Sequence, residues 1–110
     1  MTTKKELIDM LALLPATIAE QEKSLIEAYV AAQTCKKELT EAEDDLFLRG
    51  VIDGKNAEIR AAQLRANTAD KRADLQKAEN KISVERAILD GLNNQLAAYI
   101  AIAGMLKGAE

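Results

Sequence analysis

Apolar residues recur along the first half of this chain at alternating steps of four and three. From Leu7 the series runs through Leu11, Leu14, Ile18, Gln21, Leu25, Ala28, Ala32, Cys35, Leu39, Ala42, Leu46 and Arg49. Only Gln21 and Arg49 depart from apolar character. A seam kept over so many heptads predicts a long helix packed in left-handed coiled-coil fashion. Thr3 and Glu6 give the Thr-x-x-Glu pattern of a capping box, so the helix should start at about residue 3. Arg49 suits the negative end of the helix dipole and Gly50 a left-handed cap, so it should close there. Pro15 removes a backbone donor and crowds the carbonyl four residues back. A kink near Met10–Pro15, or a short first helix at about residues 3–14, is expected.

Residues 50–56, Gly-Val-Ile-Asp-Gly-Lys-Asn, interrupt the pattern. Asp53-Gly54 is a turn dipeptide and Asn56 a good N-cap. A second helix is predicted over about 57–107, with Gly108 as its stop. Its seam from Leu75 runs Ala78, Ile82, Glu85, Leu89, Leu92, Leu96, Tyr99, Ala103 and Leu106. An earlier, Ala-rich series, Ile59, Ala62, Ala66, Ala69 and Ala73, is out of phase with it. A stutter near 73–78 would reconcile the two. Asp90-Gly91 and Asn93-Asn94 mark a weaker break at 90–94, with a separate C-terminal helix from about residue 92 as the alternative. The fold class is therefore all-α, an antiparallel two-helix coiled-coil hairpin forming one domain.

Folding about the turn pairs residues whose numbers sum to roughly 104. Leu7 then meets Leu96, Leu14 meets Leu89, Glu38 lies by Arg65 and Glu43 by Arg60. One seam cannot hide all the apolar surface. Ile8, Ile26 and Val30 flank the first stripe. The run Ala97–Leu106, with Tyr99, Ile100, Ile102, Met105 and Leu106, is apolar on every face and overhangs the start of helix 1 in this register. A helix apolar all round must be buried all round. These eight residues are the expected self-association surface of a homo-oligomer, a dimer forming a four-helix bundle.

Composition agrees. The 110 residues are 30% charged and 3% aromatic, rich in strong helix formers. Net charge is −3, six cations against ten anions over residues 1–50 and nine against eight over 51–110. That balance lacks the basic surplus of a nucleic-acid module. Lys55, Arg60, Arg65, Lys71, Arg72, Lys77, Lys81 and Arg86 give helix 2 a basic strip, but Asp70, Asp74, Glu79 and Glu85 interrupt it. The ten-residue run 97–106 is too short to span a membrane, which takes about 20 residues. It also lacks the basic face of an interfacial helix. The single cysteine, Cys35, excludes an intrachain disulfide and reads as a small core residue. No signal peptide is read at the N-terminus, and a cytoplasmic location is expected. There is no histidine, and paired-cysteine, Walker and dinucleotide motifs are absent. No catalytic, cofactor or metal site is expected.

The turn and its exit, Asp53-Gly54-Lys55-Asn56-Ala57-Glu58-Ile59-Arg60-Ala61-Ala62-Gln63-Leu64-Arg65, resemble a recurring segment of small phage and prophage proteins with two long helices. The resemblance covers these thirteen residues. It implies a phage-encoded protein of the host cytoplasm, from an early or recombination-associated gene block, and brings no activity. Turn residues, a cap and helix formers account for much of the segment. Lys55, Arg60, Gln63 and Arg65 go beyond those needs and are the candidate partner-binding tip. The expectation is a non-enzymatic adaptor or inhibitor that binds itself and another protein. A nucleic-acid accessory role and a small-ligand sponge at an oligomer interface are the alternatives.

Overall fold

The computed structural model describes residues 3–109. Three helices account for nearly all of them: α1 (Lys4–Leu48), α2 (Ala57–Asn67) and α3 (Ala69–Ala109), with no strand among the described residues. They pack as two compact units. The first joins α1 up to Ile26 with α3 from Ser83 onward, and the second comprises Glu27–Ile82.

Helix α1 begins as its sequence dictates. The Thr3 hydroxyl accepts from the Glu6 N–H at 3.1 Å, and the Glu6 carboxylate accepts from the Thr3 N–H at 3.3 Å. These reciprocal bonds satisfy two of the donors that every helix start leaves open. At the other end Gly50 has φ of 74°. Its N–H reaches the Phe47 carbonyl and that of Val51 the Leu46 carbonyl, at 3.1 and 3.0 Å. This is a Schellman closure, which requires the left-handed conformation glycine adopts without strain. The expected separate helix ending near residue 14 is not formed, since α1 is continuous through Pro15. Pro15 is exposed, while Leu14 and Ile18 on either side are buried and hold the segment in place.

The first-arm seam is the buried face of α1. Leu7, Leu14, Ile18, Ala28, Ala32, Leu39 and Leu46 are buried. Leu11, Gln21, Leu25, Cys35 and Ala42 are half-buried, and only Arg49 is exposed. On α3 the seam from Leu75 to Ala103 is half-buried throughout, while Leu106 is exposed.

The Ala-rich second seam needs correction. Ile59, Ala62, Ala66, Ala69 and Ala73 are all exposed. The inward positions are Ala61, Leu64 and Thr68, which run into Leu75 without a stutter. The phase jump came from passing over a polar residue: Thr68 is 2% exposed. Its hydroxyl donates to the Leu64 carbonyl at 2.6 Å and accepts from Arg72 Nε at 3.0 Å, so burying it leaves no polar atom unpaired. Thr68 also separates α2 from α3 (φ −125°, ψ 21°), a break the sequence did not predict. The Asn67 side chain bonds the Gln63 carbonyl at 2.8 Å. Such side-chain bonds to the carbonyl four residues back compete with regular helix geometry. The break expected at 90–94 is absent, because α3 runs unbroken through Gly91. Glycine costs about 1 kcal/mol there relative to Ala, less than the adjacent seam leucines Leu89 and Leu92 contribute by burial.

The register is also displaced. Within the first unit, Leu7 and Leu11 line a groove with Ala103 and Leu106, whereas the expected partner of Leu7 was Leu96. Within the second unit, Glu38 pairs with Lys71 and Glu43 with Arg72, at 3.8 and 4.0 Å, in place of Arg65 and Arg60. The cause lies in the connection after α1. Residues 53 and 54 bond the side chain of Gln63, so the connection lies beside the opening turns of α2. The end of α1 is left to pair with residues further along. Within the first unit Ala97–Leu106 does not overhang α1: Tyr99, Ile102 and Ala103 are half-buried, while Ile100 and Met105 remain exposed.

Candidate functional site

Two regions hold the residues singled out from sequence, one in each unit. In the second unit the segment from Asp53 to Asn67 folds onto itself. Asn56 caps α2, its side-chain oxygen accepting from the Ile59 N–H at 2.9 Å. Gln63, one turn further on, clamps the connection. Its Oε1 accepts from the N–H groups of Asp53 and Gly54 at 3.2 and 2.9 Å. Its Nε2 donates to Asp53 Oδ1 at 2.8 Å. Arg60 Nη1 donates to the Gly54 carbonyl at 3.1 Å. Gly54 is required by space: a Cβ there would sit 2.5 Å from Ile59 Cγ2 and 3.0 Å from the Arg60 nitrogen. Ile52, within the connection, is buried.

The four tip residues therefore divide. Arg60 and Gln63 are half-buried and their polar atoms are engaged with the turn, whereas Lys55 and Arg65 are exposed. Most of the specificity of the Asp53–Arg65 segment is thus explained by its own folding. Arg72 and Lys71 of the supposed basic strip face Glu43 and Glu38. These pairs are partly exposed and contribute little stability, but they reduce the positive potential of that side.

In the first unit the surface has a different character. Of the proposed self-association residues, Ile8, Ile26, Ile100, Met105 and Leu106 are exposed, and Tyr99 and Ile102 are half-buried. Val30, also exposed, lies in the second unit. Leu13 and Val84, which the seam analysis missed, are 58% and 56% exposed, and Ile88 is exposed with them. Charge is sparse around them: Asp9 is the only charged residue in 7–19, and Asp90 the only one in 87–106. The first-unit seam contains one polar pair. Gln21 Nε2 donates to the Glu85 carbonyl at 2.9 Å and also to the Glu85 carboxylate. A lone polar pair on an apolar seam specifies register, since slippage would leave both groups unpaired.

Among the described residues there is no group of three or more His, Cys, Asp or Glu placed to hold a metal ion. Cys35 is a free, half-buried thiol. No helix among the described residues is long and apolar enough to cross a membrane. Comparison of the chain with protein-family models, curated proteins and solved structures finds no match.

Proposed function

We propose that this protein is a non-enzymatic, self-associating helical hairpin that acts by binding another protein. The observation that carries this reading is the apolar surface of the first unit. Ile8, Leu13, Val84, Ile88, Ile100 and Met105 are each exposed, and residues 7–19 and 87–106 carry one charge each. Val84, Ile88 and Met105 share one flank of α3 by helical spacing, and an apolar flank of this kind marks a place where another surface docks. A second copy of the chain fills that role in a dimeric four-helix bundle. The tip of the second unit, with Lys55 and Arg65 exposed on a turn fixed by Gln63, supplies a polar edge for a foreign protein. The resemblance of the Asp53–Arg65 segment to small phage proteins supports a location in an infected or lysogenic host cytoplasm. There the target is a recombination or replication protein, or a host defence factor to be inhibited.

Sedimentation at micromolar concentration tests the first half, and a monomer at all concentrations refutes it. Co-purification from cells tests the second half. The partner should be lost from a Lys55→Glu/Arg65→Glu variant that still self-associates, and its retention would remove the tip from the proposal.

A further inference from the structure

Resting on the self-association reading, we infer its face and its symmetry. A second copy of this chain docks on the α3 flank that carries Val84, Ile88, Gly91, Ala98, Ile102 and Met105, antiparallel to it and centred on Gln95. With Gln95 included, these residues follow one another at alternating steps of four and three, so they share one face of α3. They lie beside the seam that faces α1. Ile8 of α1 and Lys107 of α3 line the groove on one flank of the helix pair. In antiparallel packing this leaves the flank of α3 bearing Ile88 and that of α1 bearing Leu13 and Thr17 together on the other. Val84, Gly91, Gln95, Ala98 and Met105 are exposed and Ile102 is half-buried.

The order of side chains along this face is what selects the occupant. Read from Val84 it is large, large, small, polar, small, large, large. Reversal about Gln95 returns the same order, bringing Val84 to Met105, Ile88 to Ile102 and Gly91 to Ala98. An interface between identical chains related by a two-fold axis needs such a self-complementary surface. A foreign partner would not.

Gly91 is the second observation. Mid-helix glycine is costly, yet a Cβ at 91 would meet nothing within 4 Å and its φ is not positive. No contact among the described residues accounts for it; Gly104 is equally open but lies off this face. Small residues at a crossing let two helices approach more closely, and the reversed order sets Gly91 against Ala98 on both sides of the axis. Gln95, which both donates and accepts, then meets the same residue of the second copy and fixes the register. The only charge in 87–106, Asp90, falls on the opposite flank. The face is large enough. Val84–Met105 spans about 33 Å, and with Leu13 and Thr17 of α1 it is two helices, about 20 Å, wide. That gives about 1,300 Å² over both copies, just above the roughly 1,200 Å² lower end for stable interfaces.

The test uses the full chain with Cys35→Ala, so that an introduced thiol is the only one. Under mild oxidation Gln95→Cys should give a covalent dimer, and Ala97→Cys, on the opposite flank, should not. In sedimentation equilibrium Gly91→Leu should weaken dimerisation at least tenfold while circular dichroism shows unchanged helix content. A dimer that cross-links through 97 and not 95, or that is unaffected by Gly91→Leu, overturns the assigned face and leaves self-association standing. A monomer in every measurement overturns both.

Discussion

Replacing Gln63 isolates the clamp that sets where the chain reverses. Gln63→Ala removes three hydrogen bonds, two from the Asp53 and Gly54 N–H groups and one to the Asp53 carboxylate. Each net contribution is about 0.5–1.5 kcal/mol, and exposure of the Asp53 bonds favours the lower half. The sum is about 1.5–3 kcal/mol, reduced by a few tenths because Ala is the better helix former. Urea denaturation followed by circular dichroism, at one fixed protein concentration, should show a loss of about 1–2.5 kcal/mol; the concentration is held because association adds stability. Gln76→Ala is the reference, since Gln76 makes one exposed bond to Asn80 at 2.9 Å; it should change stability by no more than about 0.5 kcal/mol. Gln63→Glu separates the bonds further. It keeps the acceptor for the two N–H groups but sets a carboxylate against that of Asp53. Its deficit should shrink with added salt, because exposed charges are screened, whereas that of Gln63→Ala should not. If Gln63→Ala behaves like Gln76→Ala, the clamp does not hold the connection and the account of the displaced register fails.

Gly54→Ala should destabilise by about 1–3 kcal/mol, because the new methyl collides with Ile59 and the backbone of Arg60; adding Ile59→Ala should restore part of this in the same urea experiment, and full tolerance of Gly54→Ala would disprove the collision. Thr68→Val keeps the shape but deletes a hydroxyl that both donates and accepts. It should cost about 1–2 kcal/mol, with Thr68→Ser milder in its hydrogen-bond loss. A Val variant as stable as the parent would show that the seam tolerates an apolar residue there and that the bonds are incidental.

The sequence revealed the α1 seam because every buried residue of α1 is apolar, and half-buried Gln21 falls in step with its neighbours. It misled at Thr68 for a physical reason. Periodicity ranks side chains by polarity, and a threonine whose hydroxyl is satisfied by Leu64 and Arg72 is as well buried as any leucine. The exposed alanines around it offered a false alternative, since alanine is equally at home on either face of a helix. The register was illegible for a different reason. Counting from a turn assumes that its residues bridge the two helices, whereas residues 53 and 54 return alongside α2 to reach Gln63. Only a contact ten residues apart in sequence reveals this. The same contact explains why Arg60 and Gln63 looked like surplus specificity when read in isolation.

The polar pair inside the first unit bears on why its outer face is defined at all. Apolar seams of leucine and alanine tolerate sliding by a heptad, since each step again sets apolar against apolar. Sliding α3 by seven residues would separate Gln21 from Glu85 and leave a half-buried carboxylate without its donor. The cost of an unsatisfied polar group, about 1–3 kcal/mol or more when charged, exceeds what one displaced small seam residue returns. The pair therefore holds Ala103 beside Leu7 and Leu11. On the proposed face it would also hold Leu13 and Thr17 of α1 at one fixed offset from Ile88 and Gln95 of α3. A face shared by two helices can be self-complementary only if that offset does not vary. The half-buried Gln21–Glu85 pair, weak as a source of stability, is thus what would make the proposed two-fold surface specific.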